Sequence, residues 1–163
     1  MKKAASNRVS TSIPQLAVGM ALGMVITFIA FSTWEYVSRQ DISKDRNGDG
    51  KPDAMFSYSG GVLWSVKFDD DFDGYFETSQ TYNRQGAMTR GEIDRNRDGK
   101  PDIIEHYTLG QLESADFIDP VTDKVKKRVF YKLGVKTREE IDRDGDGKFE
   151  RTVEFDQFES PLK

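Results

Sequence analysis

The sequence predicts a mainly β fold: a row of about five antiparallel β-hairpin repeats in an elongated, solenoid-like sheet, with acidic loops between the hairpins and one apolar helix ahead of them. Three observations predict it. A nine-residue acidic motif returns at near-constant spacing, a tyrosine and glycine turn signature recurs between its copies, and the segments between alternate apolar and polar residues with the period of two that a sheet requires. At 163 residues and 36% hydrophobic content, with one long apolar run set aside, the chain has material for one modest domain with a thin core.

The first element is the apolar helix. A basic tail, 1–12, carries Lys2, Lys3 and Arg8, after which no charged residue appears until Glu35. The densest apolar part is LAVGMALGMVITFIAF, Leu16 to Phe31; with Ile13 before it and Trp34 and Tyr36 after it, residues 13–37 cover the roughly 20 positions of a spanning helix with interfacial aromatics. Two readings of this segment stay open. An uncleaved signal anchor is favoured because the run exceeds the roughly 7–15 residues of a usual signal core, while Ala30 to Ser32 would serve as the small-residue site of a cleaved signal peptide. Positive charges stand on both sides of the span, so the positive-inside rule does not decide orientation. The layout of basic tail, span and one polar domain points to an extracytoplasmic C-terminal part, periplasmic or on the cell surface. Gly19 and Gly23, flanked by Ala17 and Ala21, offer a small-residue strip for a weak homodimer within the membrane.

After a short linker at 38–44, the repeat domain is expected to occupy 45–160, leaving a tail at 161–163. Its lead aspartates, Asp45, Asp69, Asp94, Asp119 and Asp142, step by 24, 25, 25 and 23 residues. Between them YSGGVL, YNRQGAM, YTLGQL and YKLGV each set a tyrosine three or four residues before a glycine, so each unit reads as loop, strand, tight turn, strand. Gly60, Gly61, Gly86, Gly110 and Gly134 suit the positive backbone angles of hairpin turns. Strict alternation in VLWSVKF would put Val62, Trp64, Val66 and Phe68 on one face; in FERTVEF it would group Phe149, Arg151, Val153 and Phe155. Tyr58, Tyr82, Tyr107 and Tyr131 read as a structural ladder along the sheet.

The loops carry the chemistry. DRNGDGKPD, DDDFDGYFE, DRNRDGKPD and DRDGDGKFE place oxygen-bearing side chains at alternate positions, a glycine at the sixth and an acid at the ninth. A calcium ion takes about 6–8 oxygen ligands near 2.4 Å, and alternate side chains of a tightly turning loop converge on one point. The expected ligands are Asp45, Asn47, Asp49, the carbonyl of Lys51 and Asp53; Asp69, Asp71, Asp73 and Glu77; Asp94, Asn96, Asp98 and Asp102; and Asp142, Asp144, Asp146 and Glu150. A divalent cation makes the crowding of like charge tolerable. Magnesium suits such a cage less well, because it keeps its waters. The copy at Asp119, DPVTDKVKK, lacks the third and central ligands and the glycine, and is assigned no ion. Arg46, Arg95, Arg143, Lys51, Lys100 and Lys148 are expected to point outward as a solvated face.

These loops resemble the calcium loops of EF-hand proteins, and NGDGKPD and NRDGKPD are still more similar to those of thrombospondin type 3 repeats and related bacterial repeats. The resemblance covers the loops alone. It implies calcium as the bound ion and, in the third copy, adds Glu105 at the twelfth position as a ligand; Phe56, Gln80 and Val153 stand there in the other copies. Pro52 and Pro101 and the absence of a helical period in the flanks depart from the helix–loop–helix pattern.

Other chemistry finds little support. There are no cysteines, and a single histidine, His106, cannot build a multi-histidine metal site or, without a paired nucleophile, a hydrolytic triad. A net charge of −4 argues against a nucleic-acid partner. The expected function is therefore non-enzymatic: a calcium-binding, membrane-tethered repeat domain with a structural, adhesive or interaction role toward an unidentified protein or surface. Two alternatives remain, a calcium-responsive regulator of a membrane complex and a carboxylate-based hydrolase using calcium as scaffold.

Overall fold

The computed structural model describes residues 39–162. The expected basic tail, the 13–37 span with its Gly19 and Gly23 strip and its cleavage site, Ser38 and Lys163 lie outside the described residues. Ten strands follow one another: β1 (Arg39–Lys44), β2 (Ala54–Ser59), β3 (Val62–Phe68), β4 (Thr78–Tyr82), β5 (Met88–Ile93), β6 (Ile103–Thr108), β7 (Gln111–Ile118), β8 (Val125–Lys132), β9 (Val135–Ile141) and β10 (Arg151–Glu154). Each pairs antiparallel with its sequence neighbours, giving one open sheet in the order β1 to β10. Among the described residues there is no helix, and none long and apolar enough to cross a membrane.

The expected linker is a strand. Arg39 to Lys44 pairs along its whole length with β2, from Arg39 opposite Ser59 to Lys44 opposite Ala54. An edge strand exposed at every position needs no apolar alternation, and that is why RQDISK reads like a linker. At the other edge the expected tail folds back: Phe155 bridges Pro161, and the Leu162 N–H donates to the Glu154 carbonyl at 2.8 Å.

An antiparallel meander sends alternate connections to opposite ends of the sheet. The acidic loops therefore all lie along one end and the glycine turns along the other. Gly60, Gly61, Gly86, Gly110 and Gly134 have φ between 59° and 82°, as hairpin turns demand.

Each tyrosine hairpin also contains a β-bulge that strict alternation does not foresee. Ser57 faces Ser65 but Tyr58 faces Leu63, leaving Trp64 as the extra residue; Thr89, Glu113 and Thr137 hold the same place in the next three hairpins. The bulge shifts the alternation by one. Leu63 consequently joins Val66 and Phe68 on one face, whereas Trp64 is 46% exposed and Val62 lies on the opposite face. Tyr58, Tyr82, Tyr107 and Tyr131 each sit one residue beyond the register shift, on the same face as Val66.

That face holds the thin core. Ala54, Val66, Ile103, Ala115 and Val129 are its buried apolar residues. A single row crosses the sheet through Phe56, Val66, Gln80, Gly91, Glu105, Ala115 and Val129. Glycine at position 91 makes room for its neighbour: a Cβ there would stand 2.7 Å from Glu105 Oε2, the oxygen that accepts from the Tyr107 hydroxyl at 2.8 Å. The opposite face is polar, with Asp116 held by Arg128 (2.5 and 2.9 Å) and by His106 (3.2 Å).

Gly91→Ala should destabilise the sheet by about 1–2 kcal/mol through this collision, and Glu105→Ala in the same chain should recover part of the loss. Denaturant unfolding of the two single variants and the double variant measures the coupling; strictly additive effects would contradict the contact.

Candidate metal centres

Each acidic loop is organised by its first aspartate. The Asp45 carboxylate accepts from Gly48 and Gly50 N–H (2.6 and 2.8 Å), Asp69 from Asp73 and Gly74 (3.2 and 2.7 Å), Asp94 from Arg97 and Gly99 (2.7 and 2.9 Å), and Asp142 from Gly145 and Gly147 (2.7 and 2.8 Å). This demands left-handed backbone at the fourth and sixth positions. Glycine fills the sixth throughout, with φ of 87–96°, but the fourth is Phe72 in the second loop and Arg97 in the third, both at φ 63°.

The remaining acids close each loop. The fifth-position carboxylate accepts the N–H of the seventh residue: Lys51 on Asp49 (2.8 Å), Tyr75 on Asp73 (2.9 Å), Lys100 on Asp98 (2.9 Å) and Lys148 on Asp146 (2.7 Å). The ninth reaches back to the second: Arg46 N–H to Asp53 (2.7 Å), Asp70 to Glu77 (3.1 Å), Arg95 to Asp102 (2.7 Å) and Arg143 to Glu150 (2.8 Å). Asn47 and Asn96 accept from Asp49 and Asp98 N–H at 2.8 and 2.9 Å, and Asp144 from Asp146 at 3.1 Å. Such bonds occupy part of each carboxylate and aim the rest inward.

Three loops thereby gather carboxylates that could hold a metal ion: Asp45, Asp49 and Asp53; Asp69, Asp71, Asp73 and Glu77; and Asp142, Asp144, Asp146 and Glu150, with ligand atoms within 4.8 Å of one another in each. The third loop repeats the backbone pattern without forming such a group. There the Tyr75 hydroxyl and the Gly99 N–H both donate to Asp94 Oδ2, and the Asn96 amide donates to Asp102 Oδ1 at 3.1 Å. Glu105 is not brought to this loop. It stands within β6 opposite Gly91, because the period of the strand turns the twelfth position onto the buried face. At Asp119 the copy shrinks to a tight turn capped by the same aspartate on the Val121 and Thr122 N–H groups, both at 2.9 Å.

Contacts between loops are what sequence reasoning missed. The first-position N–H of the second loop donates to the ninth-position carbonyl of the first (Asp69 to Asp53, 2.9 Å), and Asp94 does the same to Glu77 (2.8 Å). Side chains add to this. Arg46 donates to the Asp69 carbonyl (2.7 Å) and lies 5.2 Å from the Phe72 ring; Arg97 pairs with Asp71 (2.6 Å) and Asp73; Lys100 pairs with Asp123; and Lys124 donates to the Gly145 carbonyl (2.7 Å). Arg46 and Lys100, expected to point outward, are therefore cross-links. The two non-glycine residues at the fourth position are both partners in such links, but no spacing rule within one loop could reveal them.

No protein-family model matches the chain, and neither does any curated protein. Eleven chains of solved structures do match. One belongs to the crystal structure of accessory secretory protein 1, 2 and 3 in Streptococcus pneumoniae, at 15% identity and a TM-score of 0.50, covering 64% of this chain and 19% of that one. This chain thus spans about a fifth of the length of that neighbour, and the likeness is one of fold.

The loop hydrogen bonds set the response to acid. The Gly50 and Gly48 amides hold Asp45 below the usual carboxylate range. Burial raises Asp94 and Asp142, but the Tyr75 hydroxyl with the Gly99 and Arg97 amides, and the Gly147 and Gly145 amides, respectively, outweigh it, leaving both lowered. Folded-state values below the ordinary one mean that this stabilisation is complete above about pH 4 and is lost as pH falls through the lower folded values. Thermal unfolding in chelator should therefore show a midpoint that is level from about pH 6 to 4.5 and falls below about pH 4, with a shallower fall in Asp94→Asn.

Proposed function

We propose that the protein is a calcium-binding, membrane-tethered extracytoplasmic repeat domain whose ions stiffen one end of a single-layered sheet for a structural, adhesive or interaction role. The observation that carries this reading is the convergence of carboxylates in three loops built on one hydrogen-bond plan. Charges this close repel one another, by about 1 kcal/mol per pair at 4 Å even in water, and a bound cation turns that cost into a gain. All-oxygen, multi-carboxylate loops with room for variable coordination suit calcium better than magnesium.

The sheet has reason to need the ion. Its buried apolar residues are few and small, so loop closure adds stability that the core does not supply. With a dissociation constant near 10⁻⁴ M, as in extracellular modules, each filled loop contributes about 1.4 kcal/mol at about 1 mM free calcium. Three such loops contribute about 4 kcal/mol, which raises the melting temperature by on the order of 10 °C. Circular dichroism melts in chelator, in millimolar calcium and in millimolar magnesium measure this. Calcium should give the largest rise, and Asp49→Ala and Asp146→Ala should each remove a share of it. A midpoint indifferent to ion and substitution would leave the loops as turns alone.

The tether is read from the apolar run at 13–37, and an extracytoplasmic location matches weak loops that a resting cytosol would leave empty. Protease added to intact spheroplasts should digest the chain beyond about Arg39; full protection would reverse the topology.

A further inference from the structure

The second and fifth loops have the same four acids in the same places, Asp-x-Asp-x-Asp-x-x-x-Glu, yet they face different surroundings. Arg97, from the third loop, lays its guanidinium across the second: Nη2 is 2.6 Å from Asp71 Oδ2, and Nη1 contacts Asp73 Oδ2. With Tyr75 N–H on its other oxygen (2.9 Å), Asp73 has both oxygens engaged. In the fifth loop, among the described residues, no cation pairs with Asp144, Asp146 meets only the ammonium of Lys148, two residues on and 84% exposed, at 3.2 Å, and Lys124 from the preceding loop reaches the Gly145 carbonyl rather than a carboxylate.

We propose that Arg97 is a tethered competitor for the cation site of the second loop, so that two loops of identical ligand chemistry differ in affinity and the second fills only when an ion displaces the guanidinium. The proposal rests on the calcium reading of the loops. Arg97 is suited to the task because its position is imposed from both sides. Its N–H is held by Asp94 at 2.7 Å, its backbone is left-handed at φ 63°, and its side chain reaches out of its own loop to Asp71 of the second. Displacement is feasible because the pairs are part-exposed, with 43% of the Arg97 side chain and 57% of the Asp71 side chain open to solvent. By linkage, the strength with which Arg97 holds the two carboxylates is the factor by which it weakens the ion there. Two exposed pairs of ordinary strength correspond to about five- to tenfold.

Tyr75, at the seventh position of the second loop and with its hydroxyl on Asp94 of the third, is a sensitiser for terbium bound at either; loss of the emission in Asp71→Ala and its retention in Asp98→Ala assign it to the second loop. In the full-length chain, tyrosine-sensitised terbium emission, competed with calcium, should show a second-loop midpoint about five- to tenfold lower in Arg97→Gln than in the unaltered protein, with Arg97→Lys restoring much of the weaker binding. Arg97→Gly, which suits the left-handed backbone, keeps the test open if the glutamine variant folds poorly. Asp146→Ala should leave this signal in place. Calcium binding with an unchanged second-loop midpoint in Arg97→Gln and Arg97→Gly would overturn this inference alone; no terbium or calcium response in any variant would overturn it together with the calcium reading.

Discussion

The structure depends on a carboxylate that binds the backbone of its own loop. When a first-position aspartate accepts two N–H groups, from near the fourth position and from the sixth, the chain must pass twice through left-handed conformations and return within nine residues to the strand it left. The return is what lets the ninth-position N–H pair with the strand end before the loop, as Asp53 does with Lys44 (2.8 Å) and Asp102 with Ile93 (2.8 Å). Carboxylate convergence and strand register therefore follow from one local hydrogen-bond pattern. A buried aspartate is affordable here because amides, not water, solvate it, and Asp69 is only 1% exposed.

The meander turns this local device into an array. Because every second connection of an antiparallel sheet emerges at the same end, five copies of the motif line up at a spacing of two strands, about 10 Å. At that distance an arginine or lysine from one loop reaches the acids or carbonyls of the next. Arg46, Arg97, Lys100 and Lys124 do so in succession, linking all five. These links are part-exposed and individually weak, so their main effect is on how neighbouring loops share charge rather than on the total stability of the sheet.

The faces of the sheet are governed by a different constraint. One layer of strands cannot bury large side chains on both sides, so the covered face uses small residues, Ala54, Gly91 and Ala115, beside β-branched Val66 and Val129, and accommodates Glu105 by pairing it with a tyrosine. The repeated bulge before each glycine turn brings each tyrosine onto this side at the cost of exposing the extra residue, seen best in Trp64. The opposite face stays polar, and its buried Asp116 is lowered in pKa because Arg128 and His106 outweigh the effect of burial.

Much of this was legible in the residues because it is local. The loop period, the tyrosine hairpins, the positive-φ glycines and the groups formed by Asp45, Asp69 and Asp142 with their own loop acids all depend on contacts within about nine residues, and a short motif encodes those completely. Tertiary structure decided the rest. Glu105, the best match to a twelfth-position ligand, was claimed by strand pairing; RQDISK became β1 because a partner supplied the ladder that its own pattern does not announce; and the bulges displaced Trp64 from the face that strict alternation assigns it. The third loop, the most complete by sequence, is altered by Tyr75, nineteen residues before Asp94 in the chain. Arg97 in turn crosses twenty-six residues to Asp71. Such contacts are created when the sheet brings alternate loops side by side, and a spacing rule confined to one loop has no access to its neighbour's charge.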